Sequence, residues 1–131
     1  MTERDTELIN LRGAAIGAIK LNSSSEEIFQ NQTLRPILKL QNELFIAVFC
    51  NYAVKQKGVF FSLSPQKKMD YIEHVIQRDI KFRNALKGLI IGWFTLTEYQ
   101  TYIQNSSNLN KRMMHLLIER LKSQIQLFDN P

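Results

Sequence analysis

One cysteine, two histidines and one tryptophan occur in these 131 residues, and the shortages close off several chemistries. A lone Cys50 excludes an internal disulfide framework and a thiolate metal cluster, so a reducing compartment, the cytoplasm, is expected. No charge pattern around Cys50 marks an activated thiolate, and it reads as a packing residue. Metal sites need three or four converging donors, commonly two histidines at a fixed helical spacing plus a carboxylate. His74 sits one turn from Asp70 and Arg78, and His115 one turn from Lys111 and Glu119, which reads as two surface histidines. The acids are scattered, with none on an apolar face where desolvation would tune it. Neither a metal, a cofactor nor a catalytic set is therefore expected, and the reading leans away from an enzyme.

Long apolar runs are missing too. The stretch from Gly13 to Ile19 follows acidic Glu3, Asp5 and Glu7 and is cut by Lys20, so it fits neither a signal peptide nor a membrane span of about 20 apolar residues. Alternating strand patterns, internal repeats and low-complexity tracts are absent as well.

What is present is a globular composition, 44% hydrophobic and 22% charged, in a length suited to one domain over 1–131. Residues 1–23 read as an arm or a short helix, with Thr2 opening it and Gly13 closing it. Ser24 caps a short turn through Phe29, which polar Gln30-Asn31-Gln32 ends. From Leu34 to about Gln56 the apolar residues follow a 3.6 period, so one long helix is expected, with Thr33 as cap, Pro36 in the first turn and Gly58 as terminator. Gln41 falls within its apolar arc and needs a partner if buried. Ser64-Pro65 opens the next helix, in which Met69, Ile72, Ile76 and Ile80 share a face.

Asp79 caps a helix whose second half, Leu86 to Phe94, is apolar nearly all round and reads as the central helix, with Trp93 in the core. Gly88 and Gly92 lie one turn apart on it and suggest close approach of a neighbouring helix, since each costs roughly 1 kcal/mol against alanine. Thr95-Leu-Thr-Glu98 is a capping box. The helix it opens breaks at Asn105-Ser-Ser-Asn108. The last helix runs from about Ser107 to Leu127 on an apolar face including Leu109, Met113, Leu116, Leu117 and Leu121, and 129–131 should fray. The expected fold is all-α, an irregular bundle of five or six helices around the 80–94 helix.

Charge is uneven. Residues 1–33 carry three basic against five acidic groups, residues 34–78 seven against three, and residues 79–131 seven against four. Two basic sets stand out: Arg78, Lys81, Arg83 and Lys87, and Lys111, Arg112 and Lys122. If these faces adjoin beside Tyr99 or Tyr102, they can hold an anion or nucleic acid by charge and stacking. Arg120 falls within the apolar arc and would snorkel or pair with a buried acid. Because the apolar arcs are wide for so small a protein, a self-associating structural or interaction module is the leading expectation. A symmetric homodimer would form through the last helix or an arm around Ile16 and Ile19.

The segments LRPILKLQNELFIAVFCNY (34–52), RDIKFRNALKGLIIGWFT (78–95) and YIQNSSNLNKRM (102–113) resemble a group of short bacterial all-helical proteins without an assigned activity, some of which carry the name glyoxalase. That name would imply a metal-dependent lyase, the third reading. Glyoxalases of the vicinal-oxygen-chelate type bind metal through His and Glu on paired βαβββ units. No residue of this chain matches such a ligand set, and none is carried over.

Overall fold

Side-chain caps decide most of the helix starts. In the computed structural model, which describes residues 1–17 and 23–128, Thr2, Ser24, Ser64, Asp79 and Thr95 each accept a backbone N–H of the helix they open. These caps satisfy donors that have no partner within the helix. The helices are α1 (Glu3–Arg12), α2 (Ser25–Phe29), α3 (Arg35–Leu40), α4 (Asn42–Lys55), α5 (Pro65–Arg78), α6 (Ile80–Ile91), α7 (Leu96–Gln104) and α8 (Ser106–Lys122). Among the described residues there is no strand, and no helix is long and apolar enough to cross a membrane. The protein is all-α. Ile19 and residues 129–131 lie outside the described residues.

The helix count exceeds five or six in part because the expected 34–56 helix is two. At Gln41 (φ −93°, ψ 9°) the backbone leaves helical geometry, separating α3 from α4. Upstream, α2 ends at Phe29 as expected, but Gln30-Asn31-Gln32 does not break the helical path. A π-helical turn over Gln30–Leu34 carries the chain into α3, so Thr33 caps nothing. The turn also carries two tertiary bonds: the Gln32 carbonyl accepts from Arg12 Nη2 at 3.2 Å, and the Thr33 hydroxyl donates to Glu98.

Phe49 of α4 is the aromatic hub of the core. Its ring meets Phe60 at 5.2 Å, Phe128 at 5.5 Å, and Tyr71 and Phe82 at 6.2 Å. Leu34, Ile37, Leu38, Phe45, Ile72, Ile76, Leu86, Ile90, Met113 and Leu117 extend this core through α3, α4, α5, α6 and α8. The expectation of a central helix through Phe94 needs correction. The helix α6 ends at Ile91, and only its Phe82, Leu86 and Ile90 edge is buried. Trp93, in the turn beyond, is half-buried, and Ile80 is exposed because a new helix starts there. Gly88 and Gly92 are exposed. A Cβ on Gly88 would meet nothing within 4 Å, and one on Gly92 would meet only the Gly88 carbonyl, so neither admits a neighbouring helix. The apolar arc of α8, by contrast, lies in the core through Leu109, Met113, Met114, Leu117, Ile118 and Leu121, which leaves it no broad face for a second chain.

The N-terminal segment is a docked helix. Arg4 donates to the Gly92 and Phe94 carbonyls, each at 2.9 Å, at the C-terminal end of α6. The Asp5 carboxylate accepts from Leu96 N, at the N-terminus of α7. Positive and negative charge thus meet the helix ends that favour them. Arg12 then forks onto both carboxylate oxygens of Glu98, each at 2.7 Å.

Candidate ligand-binding cleft

Helices α5, α6 and α8 do not close fully on one another, and a cleft of about 430 Å³ remains between them. Heptad arithmetic explains its lining. On α8 the core takes positions 113, 117 and 121, and the neighbouring stripe of Asn110, Lys111, Met114, His115 and Ile118 turns to the cleft. On α6 the core takes Phe82, Leu86 and Ile90, so Arg83 and Lys87, one residue further on, reach the rim. Helix α5 supplies Glu73, Ile76 and Gln77. The floor is apolar, formed by buried Ile76, Met114 and Ile118, and three cations surround it.

The charges are not all equally available. Arg83 donates through Nη1 to the Gln77 carbonyl at 3.1 Å, which holds its guanidinium over the end of α5. Glu73, the acid on the rim, accepts from Lys122 Nζ at 3.1 Å. That bond outweighs partial burial and raises the Lys122 pKa, keeping it charged and paired with the Glu73 carboxylate. Neither Lys87 nor Lys111 enters an ion pair among the described residues. Tyr102 shapes the rim indirectly: buried against Phe94, its hydroxyl donates to Asn110 Oδ1 at 2.6 Å and leaves the amide nitrogen of Asn110 for the cleft.

Of the residues expected to form one basic site, Arg83 and Lys87 therefore meet Lys111, and the others disperse. Arg78 lines a shallow depression with Lys67, Asp70 and His74. Lys81 is exposed in the first turn of α6, near Asp79. Tyr99 is exposed on α7 and does not line the cleft, so stacking beside the basic residues is not available from it. Arg112 turns toward α2 and the π turn, donating to Gln30 Oε1 at 3.0 Å. His115 is exposed, as expected of a surface histidine, but neither it nor Asn110 was expected at a cleft. Their signal was positional: each sits one turn before the buried Met114 and Ile118 pair or beside it, on the edge of the apolar arc.

No protein family, curated protein or solved structure matches this chain. Among the described residues no three His, Cys, Asp or Glu side chains gather in a way that could hold a metal ion.

Proposed function

We propose that the protein binds a small anion with an apolar body, seated in the cleft between α5, α6 and α8. The observation that carries this reading is the meeting of Arg83, Lys87 and Lys111 over the floor of Ile76, Met114 and Ile118. Two of the three cations come from one helix and the third from another, so the charge converges on a concavity instead of following a flat face. Its volume, about 430 Å³, falls in the range of small-ligand sites, roughly 300–1,000 Å³. A nucleic acid is less well served, because single strands are held by exposed aromatic platforms along a basic track, and Tyr102 is buried.

Anilinonaphthalene sulfonate, an aromatic anion, is a suitable probe. Saturable binding to the folded protein is expected, weakened about tenfold or more in Lys87→Gln/Lys111→Gln, which corresponds to about 1.4 kcal/mol. Unchanged binding in that variant, with its thermal transition intact, overturns the reading. Oligonucleotide binding with a steep salt dependence in place of probe binding transfers the same cations to a nucleic-acid role.

Self-association is a second reading, supported by a different surface from the last helix. Leu96, Tyr99 and Ile103 are 53%, 46% and 52% exposed along one stripe of α7, spaced as a helix face that meets a partner.

A further inference from the structure

A second cavity, about 490 Å³, opens on the other side of His115, between α3 and α8. Two arginines share it: Arg35 at the start of α3 and Arg120 in the last turn of α8. Neither is paired with an acid among the described residues. The acid on the cavity wall, Glu119, is directed to Lys122 at 3.7 Å. Arg35 Nε is buried without an acceptor. Arg120 makes one long bond, to Asn42 Oδ1 at 3.3 Å, and is half-buried without the acid partner that was one of its two expected fates.

The supporting frame is hydrogen-bonded. Asn42 and Gln124 exchange amide bonds at 2.7 and 2.8 Å, and Gln124 also donates to the Arg120 carbonyl at 2.9 Å. The carboxamides are therefore engaged with each other and with Arg120, and they do not supply the missing negative charge. Guanidinium groups cannot relieve mutual repulsion by losing a proton in the accessible pH range. Burial and the nearby Arg35 charge both lower the Arg120 pKa, in keeping with two cations confined together.

We infer that the Arg35–Arg120 cavity is an oxyanion site, built for the phosphate group of a small ligand. Two forked guanidinium groups match a tetrahedral oxyanion by paired N–H donation through their terminal nitrogens. Leu38 and Leu116 in the same wall leave apolar contact for an organic remainder. The site does not depend on the cleft across His115.

Inorganic phosphate is the probe. At ionic strength matched with chloride, phosphate should raise the melting temperature of the full chain along a saturable curve, and Arg35→Gln should weaken that dependence about tenfold or more. Lys87→Gln/Lys111→Gln should leave it unchanged, which separates this site from the cleft. In the unaltered protein, the Nε–H resonances of Arg35 and Arg120 should shift together with the same apparent affinity, a readout that survives if a variant does not fold. A melting temperature indifferent to phosphate, or a gain that persists in Arg35→Gln/Arg120→Gln, overturns the assignment. So do shifts shared equally by exposed Arg78.

Discussion

A single hydrogen atom at Gly88 makes a sharp test of where the bundle is covered. Gly88 lies inside α6, and a Cβ there meets open space. Gly88→Ala should therefore stabilise the protein by roughly 0.5–1 kcal/mol, since it restores helix propensity without a clash. Thermal unfolding checks this, and a lower melting temperature would mean that something packs on this face. The spacing of Gly88 and Gly92 identified a helix turn but not its outward direction, because glycine contributes nothing to the apolar periodicity that orients a helix. Trp93 was misjudged for a related reason. Its apolar character is plain in the sequence, yet it follows the last turn of α6, where side chains no longer obey the helical period.

Among the elements, α1 has the most to lose from one bond. Arg12 is 4% exposed at its side chain and Glu98 18%, and removing one partner of so buried a pair leaves a charge without compensation. Arg12→Ala should cost about 3–5 kcal/mol. Burial opposes ionisation of Glu98, but donation from Arg12, Thr33 and the Thr95 backbone outweighs it and holds the carboxyl below the ordinary glutamate range. A depressed folded pKa means the contribution is complete above the ordinary value of about 4.3 and is lost as pH falls through the folded value. Melting temperatures followed into acid should accordingly fall less steeply for Glu98→Gln than for the native chain. An identical slope would remove Glu98 from the acid response. The capping box that places Glu98 was legible from Thr95-Leu-Thr-Glu98, whereas its partner was not: Arg12 lies 86 residues away, and no local pattern encodes a pairing at that range. The same limit hid the π turn, whose Gln32 carbonyl and Thr33 hydroxyl bond to Arg12 and Glu98.

For the molecule as a whole, sequence periodicity was enough for the fold class, most helix starts and the major part of the core, since caps and apolar arcs are local. Convergence was not legible. Arg83, Lys87 and Lys111 come together only because α6 and α8 both rest on α5, and Arg35 carries no signal that would single it out. Assembly is decided at this scale too. A dimer through the α7 stripe should bury about 1,200 Å² or more in total to be stable. Sedimentation at micromolar concentration should then show a dimer that Ile103→Glu returns to monomer, and a monomer for the native chain removes this reading. The docking of α1 has a further consequence, for the order of events at the ribosome. Helix α1 is synthesised well before α6 and α7, yet its contacts with Phe94, Leu96 and Glu98 span 90, 91 and 86 residues. A nascent chain therefore cannot complete the seating of α1, which also rests on α3 and the Gln32 carbonyl, until α6 and α7 have emerged.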